Sequence, residues 1–213
     1  TMQRDLLRFQ ARVTAFETTT TPVFLDFAFG LQALAVSAIE AMEIVVDGQI
    51  ENLSYVEVIG TPSGEILNGS VMHDHISGGE GDDTLNGGVG HDFLVGNEGN
   101  DTLNGGDGVD DINGGAGNDT ISGGDDEDVI NGDAGDDTIS GDAGADIINA
   151  GQGNDTVDGG SEDDTIYGGS GDDTMDGGGS HAKLYGESGA DTLLGGTGND
   201  LLNGEAGSDT LFG

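Results

Sequence analysis

A nine-residue repeat without any insertion or deletion constrains this chain more than any other feature. From residue 69 to residue 212 the sequence divides into sixteen consecutive nonapeptides. Position 1 is Gly in fifteen units, position 6 is Asp in fifteen, and position 8 is aliphatic or Met in all sixteen. A disordered glycine-rich linker does not keep one apolar residue in register over 144 residues, so the repeat predicts a regular solenoid.

Alternate units differ from each other in a consistent way. In one set, position 4 is always Gly and position 7 is always Thr, from Thr84 to Thr210. In the other set, Ala182 replaces the Asp of position 6, and the Gly of position 4 is replaced by Met72, Asp126, Glu162 and Ser180. The true period is therefore eighteen residues, which predicts two nonapeptides per coil and alternate units stacked on opposite faces.

Each unit is predicted to be a turn followed by a short strand. Glycines at positions 1, 2 and 4 permit the positive φ angles of a tight turn, and positions 7 to 9 suit a three-residue strand with position 8 pointing inward. The resulting core is only two columns of side chains. The chain also has 42 acidic and four basic residues, so it cannot bury enough apolar surface to offset a net charge of -38.

A cation that neutralises the carboxylates resolves this problem. Calcium takes six to eight oxygen ligands and accepts carbonyl oxygens beside carboxylates, which suits turns stacked about 4.8 Å apart. Eight coils leave seven gaps on each face, so up to about fourteen ions are expected in one chain. The candidate metal ligands are the aspartates of position 6, namely Asp74, Asp83, Asp92, Asp101, Asp110, Asp119, Asp128, Asp137, Asp146, Asp155, Asp164, Asp173, Asp191, Asp200 and Asp209.

Units such as residues 114–122, with the sequence GGAGNDTIS, match the pattern GGxGxDxUx. Over about two thirds of its length the chain closely resembles the RTX family of calcium-binding proteins. The resemblance implies an all-β fold, a right-handed parallel β-roll of about eight coils. It also implies ions held between successive coils by Asp carboxylates and turn carbonyls. The site at Ala182 is then expected to be weak or empty.

Residues 1–59 are expected to form an N-terminal cap or assembly segment, and residues 60–213 the calcium-binding roll. Arginines at residues 4, 8 and 12 alternate with apolar residues, which predicts a short amphipathic helix. Residues 23–29 and 44–46 are predicted strands. Of the histidines, His73, His91 and His181 occupy position 5, where a solvated turn residue is a better interpretation than a transition-metal ligand.

Charge and composition exclude several partners. A polyanion is repelled by nucleic acid and by anionic membrane surfaces, and no apolar run is long enough to span a membrane. No cysteine is present, so disulfides and thiolate sites are excluded. Free calcium is abundant only outside cells, which predicts an extracellular protein. No signal peptide opens the sequence, which predicts either a signal-independent export route or a sequence that is only the mature or ordered part of the protein.

Three classes of function remain. The 59 residues before the repeats have no His, Cys or nucleophile elbow, so an enzyme is not expected. Because the last unit is followed only by Gly213, we expect an open coil, head-to-tail stacking of copies into calcium-stapled fibrils, and contacts from residues 20–60 of a neighbour. The alternatives are an RTX fragment of a larger type I-secreted exoprotein, either an adhesin or the carrier region of a hydrolase or epimerase, and an ice-binding solenoid with a Thr row. Other cell-surface or matrix components are further candidate partners.

Overall fold

The computed structural model describes residues 45–46, 49–50 and 55–213. All regular structure in these residues is β, and none of them lies in a helix long and apolar enough to cross a membrane. The helix predicted around residues 4–12 and the strand predicted at residues 23–29 lie outside the described residues. The all-β parallel solenoid with two nonapeptides per coil is confirmed.

The strands form two long parallel sheets and one short antiparallel pair. The pair consists of β1 (Val45–Val46) and β2 (Gln49–Ile50). The first sheet contains β4 (Ile66–Asn68), β6 (Thr84–Val89), β8 (Thr102–Asp107), β10 (Thr120–Asp125), β12 (Thr138–Ala143), β14 (Thr156–Asp158), β16 (Thr174–Asp176), β18 (Thr192–Leu194) and β21 (Thr210–Phe212). The second sheet contains β3 (Tyr55–Ile59), β5 (His73–Glu80), β7 (Phe93–Glu98), β9 (Asp111–Ala116), β11 (Val129–Ala134), β13 (Ile147–Gln152), β15 (Thr165–Ser170), β17 (Lys183–Gly189) and β19 (Leu201–Asn203), with β20 (Ala206–Gly207) paired to β17.

Every parallel pairing joins residues eighteen positions apart. Thr120, for example, lies between Thr102 and Thr138, and Ile121 lies between Leu103 and Ile139. The solenoid has about nine coils, one more than the repeat count, because β3 and β4 form a coil despite their poor match to the repeat. β3 lies before residue 60, where the sequence places the start of the roll.

Most strands are longer than the three residues predicted from the repeat. β10 continues beyond Ser122 through the glycines of the next unit to Asp125. The strands extend because each of those residues can also pair with the residue eighteen positions away in the next coil. Gly124, for example, pairs with Asp142. The turn proper is therefore reduced to positions 4 to 6 of most units.

The core is the pair of position 8 columns that the repeat predicts. Between the two sheets these side chains are at most 2% exposed from Ile76 to Leu193. Its position 8 members are Ile76, Leu85, Leu94, Leu103, Ile112, Ile121, Ile130, Ile139, Ile148, Val157, Ile166, Met175, Leu184 and Leu193, and Val58, Ala150 and Ala182 complete the buried apolar cluster. Because the core is one side chain wide on each face, the turns flanking it lie directly beside buried residues.

Candidate metal-binding ladders

The aspartates of position 6 end each turn and immediately precede a strand, so the solenoid stacks them in two ladders, one along the edge of each sheet. Of the fifteen predicted ligands, thirteen are at most 3% exposed, and Asp200 and Asp209 in the last coil are partly exposed. Buried carboxylates in such number need partners, because burying an ionised group without one costs several kcal/mol, as an order of magnitude.

One oxygen of each ladder carboxylate has a backbone partner. Oδ1 of Asp137 accepts a hydrogen bond from the backbone N–H of Asp119 at 2.8 Å, and Oδ1 of Asp155 accepts one from Asp137 at 2.8 Å. The same bond recurs every eighteen residues in both ladders. This bond fixes the side-chain orientation of each carboxylate toward the preceding coil.

The second oxygen is buried and has no hydrogen-bond partner. This holds for Oδ2 of Asp83, Asp92, Asp101, Asp110, Asp119, Asp128, Asp137, Asp146, Asp155, Asp164, Asp173 and Asp191. Buried polar atoms in folded proteins are almost always paired. Twelve equivalent unpartnered carboxylate oxygens therefore indicate a ligand that binds carboxylate, and a cation fits.

Turn carbonyls of neighbouring coils lie close to the same carboxylates. Gly99, with φ of 143°, occupies position 4, and a Cβ atom there would overlap the carbonyl oxygen of Gly81 and lie 3.2 Å from Oδ1 of Asp101. Gly117 approaches the carbonyl of Gly99 in the same way. Glycine is needed at this position both for its left-handed backbone and for the absence of a side chain between carbonyl and carboxylate.

Side chains alone do not make a metal site here. In the part of the chain that the structure describes, no three His, Cys, Asp or Glu side chains are grouped so as to hold an ion. Any ion between coils must therefore take ligands from the turn carbonyls as well as from aspartates. A set of carboxylate and carbonyl oxygens is the chemistry that calcium prefers, whereas zinc favours imidazole and thiolate.

Burial raises the pKa of the ladder carboxyls, and neighbouring carboxylates raise several of them further, while the backbone hydrogen bond acts in the opposite direction. The pKa rises to about 7 at Asp119, Asp128, Asp164 and Asp173. It rises to about 6 at Asp83, Asp92, Asp110, Asp137 and Asp146, and it is also raised at Asp101, Asp155 and Asp191. A cation in the ladder would thus compete with protons near neutral pH.

The ladder beside the second sheet is interrupted at Ala182. This residue is 1% exposed, and its methyl group lies where the neighbouring units have a carboxylate. Beside it, His181 donates its backbone N–H to Asp163 at 3.0 Å, and Nδ1 of its ring lies 3.4 Å from the same carboxylate oxygen. The backbone hydrogen bond from His181 lowers the pKa of Asp163.

A second, outer ladder formed by position 5 was missed in the sequence. The side-chain oxygen of Asn100 accepts the backbone N–H of Asn118 at 2.8 Å, and other Asn and Asp residues at position 5 repeat this bond. On the opposite face, Nδ1 of His73 accepts the N–H of His91 at 2.8 Å, and the two rings stack at 4.9 Å. The frequency of Asn and Asp at position 5 is the sequence signal that would have revealed it.

The comparisons with known proteins agree with the geometry. Residues 59–94, 87–121, 122–157, 150–181 and 185–213 match the family model of the RTX calcium-binding nonapeptide repeat, which describes four copies. A search of curated proteins finds no match to the chain. The family matches cover well over half of the chain and coincide with the coils whose aspartates are buried with one oxygen unpartnered. The chain belongs to the RTX family of calcium-binding repeat proteins, and calcium is the ion of its repeats.

Proposed function

We propose that this chain is an extracellular structural protein whose roll folds at neutral pH only when calcium fills the gaps between its coils. The observation that carries the proposal is the set of twelve buried carboxylate oxygens without a partner. Up to about fourteen calcium ions would neutralise roughly 28 of the 38 net negative charges, which removes the main obstacle to folding. The role is structural and does not require a catalytic step.

The physical basis for the switch is linkage. Calcium binds oxygen sets that exist only when successive coils are stacked, so its binding free energy becomes folding free energy. At the low calcium concentration of a cytosol the charge repulsion dominates, and at extracellular concentrations the stacked form dominates. This dependence favours an extracellular location, because the chain stays unfolded until it is exported.

Circular dichroism of the full chain tests the switch. In excess chelator we expect the spectrum of an unfolded chain, and millimolar calcium should restore β structure, whereas the same concentration of magnesium should not, because magnesium favours a smaller octahedral site. Equal β content in chelator and in calcium would contradict the proposal.

We further propose that rods stack head to tail into fibrils, with calcium holding the coils of each rod. Support comes from the register of the two long sheets, in which each parallel strand pairs with residues eighteen positions away, as β10 does with β8 and β12. Each coil therefore presents the same backbone hydrogen-bonding pattern to the next, and exposed strand edges of this kind add further strands readily.

Negative-stain microscopy with and without chelator tests assembly. Uniform fibres that dissolve on chelation are expected, together with their loss when residues 1–54, which precede β3, are deleted from a chain that still folds on calcium. Isolated short rods would instead favour the second candidate, a roll that forms part of a larger type I-secreted exoprotein. Copies of the chain, and cell-surface or matrix components, are the proposed partners.

A further inference from the structure

The first two turns of the roll differ from all later ones in their backbone. They are residues 61–65, ending at Glu65, and residues 70–74, ending at Asp74. In every later turn position 2 has a left-handed conformation, as at Gly79 with φ of 112°, but Thr61 and Ser70 at this position do not. Position 4 of the two turns, Ser63 and Met72, is also outside the left-handed region. The glycine-dependent turn geometry of the other units is therefore absent from both.

The hydrogen bonding of Asp74 differs as well. Its Oδ2 atom accepts the backbone N–H of Ser70 at 2.5 Å and the Ser70 hydroxyl at 2.9 Å. The hydroxyl also lies 3.2 Å from Oδ1. Ser70 is 8% exposed, so these donors act in a buried setting. The oxygen that is unpartnered in the twelve later aspartates is thus already satisfied by protein in the first one.

The other ladder ends in the same manner through a different residue. Position 6 of the first turn is Glu65, whose extra methylene group lets its carboxylate reach back to its own turn. It accepts the backbone N–H of Thr61 at 2.9 Å, the Ser63 hydroxyl at 3.0 Å and the Thr61 hydroxyl. The Glu65 carboxylate therefore has protein donors in the place of a cation.

We infer that the two turns, residues 61–65 and 70–74, form a metal-free cap that ends both aspartate ladders, with hydroxyl and amide donors in the place of calcium. This goes beyond the proposed function, because it locates where the row of ions begins. It also separates Asp74 from the other aspartates of position 6, although the repeat alone gives all of them the same role. Both carboxylates are already satisfied within their own turns, and Asp74 is covered by β3, so neither Glu65 nor Asp74 bridges copies through calcium.

The number of calcium ions bound per chain tests the cap directly. Asp74→Asn and Asp92→Asn remove one charge each from adjacent coils of the same ladder, and equilibrium dialysis with metal analysis counts the bound ions. We expect Asp74→Asn to bind as many ions as the unchanged protein and Asp92→Asn to bind at least about one fewer. An equal loss in both variants would overturn the inference.

Thermal unfolding in saturating calcium provides a second test that does not depend on counting ions. Ser70→Gly restores the glycine typical of the repeat, yet it removes the hydroxyl donor to Asp74, so we expect a lower midpoint. Glu187→Gly is the control, because it places glycine at the same position 2 of a later unit, where φ is 66° and glycine should raise the midpoint. A higher midpoint for Ser70→Gly would show that Ser70 is no cap.

Discussion

Seven non-glycine residues of the roll have a left-handed backbone, and all seven are acidic or Asn. They are Asn97, Asp126, Asp133, Asp142, Glu162, Glu187 and Glu205. They occupy positions 2 and 4, and in every turn after residue 74 position 2 has positive φ whatever its side chain. Asn and Asp tolerate this conformation better than most residues, and Glu less well. Individual units therefore retain some backbone strain that the rest of the solenoid overcomes.

Relief of this strain should be measurable. Asp126→Gly and Glu162→Gly change residues at position 4 with φ of 78°, and each should raise the free energy of unfolding in calcium by about 1 kcal/mol. Gly117→Ala should do the opposite, because its Cβ would overlap the carbonyl oxygen of Gly99. Denaturant unfolding measures all three variants. A destabilised Asp126→Gly would mean that its side chain contributes more than its backbone costs.

The interruption at Ala182 offers a gain-of-site experiment. Ala182→Asp should place a carboxylate in the gap beside Asp164 and Asp200, bind about one additional calcium ion and raise the unfolding midpoint. Calorimetric titration counts the ions. Ala190→Asp is the control, since Ala190 is an exposed position 5 residue and an added charge there should leave the ion count unchanged. The same count in both variants would show that the turn at 177–182 cannot hold an ion.

At the scale of the strand, stability depends on a very thin core. Ile121 in β10 packs in its column between Leu103 and Ile139, which are its partners in the adjacent strands. The next residue on one side, Thr120, points outward and is exposed. A strand that contributes one buried side chain cannot redistribute a cavity over neighbouring residues.

Truncation of that side chain should therefore be costly. Ile121→Ala should lower the free energy of unfolding in calcium by about 2–5 kcal/mol. Thr120→Ala, one residue away on the exposed face, should lower it by less than about 0.5 kcal/mol. Chemical denaturation at fixed calcium concentration compares the two variants. Similar losses in both would indicate that calcium binding, and not the apolar column, accounts for the stability of the strand.

The stability of the whole molecule depends on the charge of its ladder aspartates. The ladder aspartates have raised pKa values in the metal-free roll, so their protonation stabilises that roll in acid, and this contribution is lost as the pH rises through about 6 to 7. Calcium binds the ionised carboxylates, so at higher pH calcium binding supplies the stability that protonation supplies in acid. The stability of the metal-free roll therefore falls as the pH rises, whereas the stability of the calcium-bound roll falls when the pH is low enough to protonate its carboxylates.

Metal-free folding should accordingly depend on pH. In a chain kept free of calcium we expect β structure to increase as the pH falls from about 8 to about 5, because protonation of the ladder carboxyls stabilises the metal-free roll relative to an unfolded chain whose carboxyls have ordinary pKa values. Circular dichroism at each pH measures the β content, and the chain in saturating calcium is the control, which should gain no β structure as the pH falls. A metal-free chain whose β content does not rise toward about pH 5 would contradict the raised pKa values.

Much of this structure was predictable because a nine-residue period leaves few alternatives. The two-faced coil was visible at position 4, which is always Gly in one set of units and is replaced in the other by Met72, Asp126, Glu162 and Ser180. The residues of position 8 defined the core. Strand length was not predictable in the same way, since glycine is a poor strand former in isolation. β10 reaches Asp125 only because identical backbone lies on both sides of it.

The sequence by itself determined the period, the two ladders and the oxygen chemistry of the ion, since these follow from residue type and spacing alone. Only the tertiary structure decided which carboxylates have an unpartnered oxygen. Asp74 and Asp92 occupy the same position of the repeat, yet Ser70 donates to the first while Oδ2 of the second has no partner. That difference depends on the backbone angles of one turn and on stacking between coils, and neither is encoded in a single repeat unit.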